Sequence, residues 1–420
     1  MTLSTVVKPD DNFSYVENEK NILLKKAESV FSKSYVDILR KKEMAILEND
    51  SEGAFLQDSE GNKYLDCYTS AGMFNLGRKQ PDICKALKTA SQATDQGNFV
   101  AVSEEKALFA ARLAEFMPET LDCFLFTVVR GEAMDVACKL ARGYTERSRL
   151  ITVDGGSYGE TGFAISLSDN TEKNQFGSLI PGIEKIRFND VGSLAGVIDK
   201  SCAAVILEPI QAEYGCRVAD REWLKGIRAL CDNTGTLLIF DETQTGFGRT
   251  GKKFASELCG ITPDIMVFGE AVTGGLFPLT GIAFNRKVKH FFDIHPLIHL
   301  CTFGGHDVGC RTAVAALELY DRIQPWENAE RKGQEIYGRI EGLIKDHPDV
   351  AGIQGTGLLI SIIFNSSDSA GAFCLKARKA GLFVVQGQIA KESVVLRPVL
   401  TLSDSEADML INAVKASLET

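Results

Sequence analysis

Short apolar runs alternate with amphipathic stretches through the middle of the chain. An apolar run at 123–128 precedes a helical pattern over 132–142; further runs follow at 150–153, 203–207, 237–240 and 264–267, with a second helical pattern over 221–233. Unbroken apolar runs of this length belong to strands covered on both faces, and strands separated by helices predict an α/β region with a largely parallel sheet. Upstream, residues 54–66 predict a hairpin turning at Glu60-Gly61-Asn62. After about His306 the order changes. Helical patterns over 309–322 and 329–346 lead to apolar runs at 358–364 and 393–397, which predicts a small α+β unit, and 403–418 predicts a closing helix capped by Ser403 or Asp404. The expected division is an N-terminal arm and the start of a small domain over 1–60, a large α/β domain over 61–305, and a C-terminal small domain over 306–420.

Composition narrows the classes of partner. With 420 residues and 45% hydrophobic content the chain can bury a core of enzyme size. Its net charge of -10 is spread without a basic run, which argues against nucleic acid and anionic membrane surfaces. The 11 cysteines are odd in number and lack a CxxC unit, as reduced thiols of the cytoplasm do. Residues 1–19 are polar and mixed in charge, unlike a signal peptide, and predict a loose arm. Neither His295 and His299 nor any other part of the set of 5 histidines makes a metal-ligand pattern, so no metal is expected.

The chemistry concentrates in two runs. Ala203-Ala204-Val205-Ile206-Leu207-Glu208-Pro209-Ile210-Gln211 and Leu237-Leu238-Ile239-Phe240-Asp241-Glu242-Thr243-Gln244-Thr245-Gly246-Phe247-Gly248-Arg249-Thr250-Gly251 resemble the core signature of class III aminotransferases of the ornithine and acetylornithine kind. Tyr64-Leu65-Asp66, Asn75-Leu76-Gly77 and Gly355-Thr356-Gly357-Leu358 extend the resemblance from about Asp37 to the C-terminus. It implies the fold type I architecture of enzymes dependent on pyridoxal phosphate (PLP): a large domain with a mixed, mostly parallel sheet and a small α+β domain. It also implies that Asp241 pairs with the pyridine nitrogen of PLP, that Gln244 reaches the ring hydroxyl, and that Tyr158 stacks on the ring. For Tyr158 the local spacing is one residue short. Thr302 matches a threonine that binds the cofactor phosphate across a homodimer interface, and Arg397, with Glu213, is the substrate-binding candidate, the arginine clamping a carboxylate. Read alone, Asp241 is also compatible with a loop-capping acid, and Arg397 with an ion pair at a strand end.

Two departures stand out. In Pro263-Asp264-Ile265-Met266-Val267-Phe268-Gly269-Glu270-Ala271, Glu270 occupies the place where the resemblance puts the Schiff-base lysine. A carboxylate can carry a proton but cannot hold an aldehyde as an imine. Lys252 and Lys253, on a solvated loop, offer no replacement. At the phosphate turn, Thr127-Val128-Val129-Arg130-Gly131-Glu132-Ala133 replaces a small hydroxyl-bearing turn, leaving Arg130 and Gly131 as the cofactor-facing candidates. Arg130 either supplies a new anion contact or folds into the pocket, where Glu270 is the expected partner.

Four readings follow. The first is an enzyme acting on a small amino or keto acid, with PLP or its amine form PMP held noncovalently and Glu270 and Asp241 as catalytic groups. The second is a cofactor-independent enzyme reusing the pocket, with one of those carboxyls raised in pKa. The third is a silent homologue regulating an active aminotransferase. The fourth is an ordinary transaminase carrying an engineered lysine-to-glutamate change.

Overall fold

Seven strands form the central sheet of the computed structural model, which describes residues 13–44, 46–97, 101–194 and 196–419. Their order is Cys123–Thr127, Thr280–Phe284, Ile265–Phe268, Leu237–Asp241, Cys202–Leu207, Arg149–Val153, Ile183–Ile186. Thr280–Phe284 runs antiparallel to both neighbours, and the other pairs are parallel. The sheet is therefore mixed and mostly parallel, as the alternation predicts. Cys202–Leu207, Leu237–Asp241 and Ile265–Phe268 are buried at every position. Successive side chains feed opposite layers: Ala204, Ile206 and Ile239 join the helix Arg130–Thr145 on one side. Val205, Leu207 and Phe240 join Trp223 and Ile227 of Arg221–Thr234 on the other.

The C-terminal unit is built on an antiparallel sheet of Val350–Thr356, Leu359–Phe364, Ser393–Leu396 and Val385–Gln386. The predicted hairpin is present as Phe55–Gln57 and Lys63–Asp66, and Leu382–Phe383 extends it as a parallel third strand. Ala54, Leu65 and Cys67 accordingly share one apolar cluster with Ile336, Ile362, Val394 and Leu410. A boundary at residue 60 thus cuts a hairpin that belongs with the C-terminal unit. The helix Asp307–Ile323 goes the other way. Its buried Cys310, Ala313, Leu317 and Tyr320 pack with Phe109, Met266 and Phe268 of the large unit, so the chain changes unit closer to Pro325 than to His306.

Part of the arm expected to be loose is helical, from Phe13 to Val30, while residues 1–12 lie outside the described residues. The closing helix Asp404–Glu419 starts on a reciprocal cap: Ser403 Oγ accepts from Glu406 N at 3.3 Å and Glu406 Oε2 accepts from Ser403 N at 2.7 Å. All the cysteines are unpaired. Among the described residues no helix is long and apolar enough to cross a membrane. The carboxyl ends of the parallel strands open towards the first turn of Arg130–Thr145, the place where open α/β sheets hold ligands.

Candidate functional site

Asp241 ends its strand paired in register with Val267 and is almost fully buried. Both of its oxygens are committed. Oδ1 accepts from Thr243 N at 3.0 Å and from Thr243 Oγ1 at 2.6 Å; Oδ2 accepts from Arg130 Nε at 3.1 Å and Nη2 at 2.9 Å. Arg130 opens the helix after Cys123–Thr127, and its Nη2 also donates to the Ser157 carbonyl and lies 3.7 Å from Glu208 Oε2. Glu208, one residue past Cys202–Leu207, accepts from Ser157 N at 2.8 Å. Burial pushes its carboxyl up to about 8 against the attraction of Arg130, and Asp241 adds to the rise. Burial works against the Arg130 charge too, but Asp241 and Glu208 outweigh it and hold the guanidinium above its ordinary value. Two buried acids share one base, and Glu208 is the member that sequence reading quoted only as part of a motif.

Glu270 begins a short 3-10 turn, Glu270–Thr273, immediately after Ile265–Phe268 and Gly269. Gly269 is required here, since a Cβ would lie 2.9 Å from the Thr243 carbonyl. The close approach sets Glu270 beside the loop that follows Asp241, and Tyr320 braces the turn through a 3.0 Å bond to the Ala271 carbonyl. Burial raises the Glu270 carboxyl; a backbone hydrogen bond and Arg130 oppose the shift, and Asp241 reinforces it. The expected Arg130–Glu270 ion pair does not form. Arg130 is drawn instead to Asp241, whose Oδ2 takes two of its donors, so Glu270 feels the guanidinium only through space.

A second cluster forms at the C-terminal unit. Arg397 Nη1 donates to Glu213 Oε1 at 2.6 Å and to Gln244 Oε1, and Gln244 Nε2 donates to Glu213 Oε1 at 3.2 Å. Glu213 Oε2 also accepts from Gln388 N at 2.8 Å. Burial would raise Glu213, but the charge and hydrogen bond of Arg397, with the Gln388 and Gln244 donors, hold it down at about 2. Arg397 is fully buried, with Nε and Nη2 unpartnered. The structure thus brings Arg397, Glu213 and Gln244 together. Arg397 does form an ion pair at its strand end, with Glu213, but buried and not on the surface.

Tyr158 lies elsewhere than expected. It has no accessible surface, its hydroxyl is 3.2 Å from Thr152 Oγ1 and 3.4 Å from the Ile206 carbonyl, and its ring lies where Gly156 leaves room. The ring is turned into the core, where it presents no face to a ligand. The loop that follows it covers the first turn of Arg130–Thr145. A Cβ on Gly159 would stand 2.7 Å from Gly131 Cα, and one on Gly131 2.7 Å from Thr161 Oγ1, which is buried without a hydrogen-bond partner. Thr302 is exposed on the turn before Asp307–Ile323. Lys252 and Lys253 pair with Glu330 and Asp321. His299 Nδ1 lies 2.8 Å from Lys139 Nζ, and the His295 ring packs tilted against Phe291. Among the described residues no group of three or more His, Cys, Asp or Glu side chains could hold a metal ion.

Tested against the roles implied by the resemblance, these residues do not fit PLP. The guanidinium of Arg130 sits on the oxygen of Asp241 that a pyridinium would need, Gln244 is bonded at both ends within the chain, and the 159–161 turn lies on the helix end where a phosphate would rest. The likeness to known proteins is nonetheless broad. The ornithine aminotransferase of Toxoplasma gondii ME49 superposes with a TM-score of 0.89 at 24% identity, covering 98% of this chain and 99% of that one. An (S)-enantioselective omega-transaminase from Thermomicrobium roseum does so with a TM-score of 0.86 at 25% identity, covering 95% and 98%. These are PLP fold type I aminotransferases, and the architecture here is theirs. In sequence, an uncharacterized aminotransferase of Archaeoglobus fulgidus is 34% identical over 88% of this chain and 87% of its own length. The ornithine aminotransferase of Bacillus cereus strain Q1 is 31% identical over 89% and 94%. The sequence model of the family described as aminotransferase class-III matches residues 38–418, and with these relatives it establishes that the chain belongs to the class III aminotransferase family, whose members depend on PLP.

Proposed function

We propose that this family member has left Schiff-base transamination and works without a bound cofactor, taking a small carboxylate-bearing amino or keto acid on Arg397 and using Glu270 as its proton carrier. The observation that carries the reading is Glu270. A carboxyl with its titration moved upward by burial stands near Arg130 and Asp241 where the resemblance puts an amine, and among the described residues no lysine pairs with any acid of the two clusters. Such a group can accept and return a proton at a substrate carbon or nitrogen, a contribution of about 10²–10⁴ in rate. It forms no imine. Arg397 supports the ligand class: one nitrogen is spent on Glu213 and Gln244, while Nε and Nη2 are buried donors that a carboxylate would satisfy in a two-pronged contact. Glu213 and Gln244 hold the guanidinium in place for it.

A homodimer, with Thr302 lent to the partner's site, is part of the proposal; the exposed Thr302 and Phe303 support it. The unpaired cysteines support a reducing, cytoplasmic setting. The closed pairing of Arg130 favours one alternative, a silent homologue that regulates an active aminotransferase.

Purified protein given an amino donor and a keto acid should transfer no amino group, with or without added PLP or PMP. In a panel of amino and keto acids, some should raise the melting temperature, and Arg397→Gln should weaken that binding about 100-fold. Amino transfer by the unmodified chain would overturn the reading. Saturable, noncovalent PLP binding would move it to a cofactor-assisted role for Glu270, and a flat panel with capture of an active family member to the regulatory one.

A further inference from the structure

Resting on the proposed loss of Schiff-base chemistry, we propose that Arg130 is the chain's own occupant of the cofactor pocket, and that this side chain, more than the missing amine, keeps PLP out.

The first support is direction. Arg130 has its backbone in the first turn of Arg130–Thr145, the end where a phosphate would rest, and its guanidinium on Asp241 at the carboxyl edge of the sheet, the end where a ring nitrogen would rest. One side chain therefore runs the length that a phosphorylated ring would span. Its head is also the right chemistry for that end, being planar, cationic and a nitrogen donor to a carboxylate. A guanidinium differs from a pyridinium in giving Asp241 two donors and in keeping its proton at every accessible pH.

The second support is how firmly the head is held. Besides Asp241 it reaches the Ser157 carbonyl and stands 3.7 Å from Glu208, and Ser157 and Glu208 are themselves joined through Ser157 N. Withdrawing Arg130 to admit a ligand would leave the buried Asp241 carboxylate without the cation that pairs with it, a strongly unfavourable state. A pyridinium would return a single donor to Asp241 where the guanidinium gives two, and none to the Ser157 carbonyl.

The third support comes from the opposite end. The 159–161 turn lies on Gly131 so closely that neither Gly131 nor Gly159 can carry a side chain without a clash of 2.7 Å. Backbone N–H groups of a helix's first turn bind anions only when they are open to them. Here both ends of the cofactor space hold atoms of the chain itself, and the two changes depend on each other. The 159–161 turn lies over the anion end, and the arginine that leaves that end fills the other.

Four proteins test this: the unmodified chain, Glu270→Lys, Arg130→Gly and the double variant, each incubated with PLP, reduced with borohydride and read by intact mass and visible absorption. Glu270→Lys should carry little adduct although it regains an amine, Arg130→Gly should bind PLP reversibly, and the double variant should carry at least ten times the adduct of Glu270→Lys. Equal adduct on Glu270→Lys and the double variant overturns the proposal while leaving the reading of Glu270 intact. So does a folded double variant that takes no PLP. Should Arg130→Gly not fold, Arg130→Ala with Glu208→Gln replaces it, and the result for Glu270→Lys decides in either case. Amino transfer by the unmodified chain is a separate outcome and removes the reading of Glu270 itself.

Discussion

Asp241 and Glu208, both buried, share one partly exposed base, and the way they divide it makes the protein's stability depend on pH. Glu208 is raised to about 8 and Glu242, buried beneath the Ala255–Cys259 helix, to about 7. A raised acid binds more protons in the folded state than in the unfolded one, so its stabilisation is full below the ordinary glutamate range and lost as pH climbs through the folded value. The melting temperature should therefore fall between about pH 4.5 and pH 8. Glu208→Gln should flatten that fall, as read by calorimetry across the range. Glu213 acts in the opposite sense: held at about 2, it stabilises above the ordinary range and that share is lost as pH drops from there towards 2. At this scale sequence reading found most of the residue types but not all of their partners. It marked Arg130 as a base needing an acid, yet the nearest substituted acid was the wrong choice, because reach and the number of free oxygens decide the pairing. Tyr158 was misplaced as well: its ring is turned inward, with the hydroxyl on Thr152 and the Ile206 carbonyl.

The elements were more legible. The apolar runs at 123–128, 150–153, 203–207 and 237–240 correspond to Cys123–Thr127, Arg149–Val153, Cys202–Leu207 and Leu237–Asp241, and the helical patterns to Arg130–Thr145 and Arg221–Thr234. What escaped were elements without a distinctive period. Ile183–Ile186 is an edge strand with Glu184 and Lys185 facing water, and Thr280–Phe284 is an antiparallel insertion that no helix announces. One contact between elements is open to direct test. A Cβ on Gly131 would stand 2.7 Å from Thr161 Oγ1, so Gly131→Ala should destabilise by about 1–3 kcal/mol as the 159–161 turn is pushed off the helix. An exposed glycine in the same chain where an added Cβ would meet nothing within 4 Å, such as Gly338, is the control, and replacing it with alanine should be neutral or mildly stabilising in urea unfolding.

On the scale of the whole molecule, the alternation of strand and helix and the later helices-then-strands order led to the correct architecture. Pairings between distant segments, such as Lys63–Asp66 with Leu382–Phe383, tie the hairpin to the C-terminal unit, and no local pattern announces them. A protein whose pocket is filled by a diffusible cofactor draws part of its stability from mass action, growing with the logarithm of free ligand. A side chain cannot be diluted, dialysed or outcompeted in that way. Arg130 is in effect a ligand at fixed effective concentration, present from the moment the chain folds. The melting temperature of the unmodified protein should consequently be the same before and after exhaustive dialysis and should not rise across a PLP titration, whereas Arg130→Gly should show a midpoint that climbs with added PLP. The fold would then have exchanged a stability that tracks the cell's supply of a vitamin-derived cofactor for one written into its own sequence.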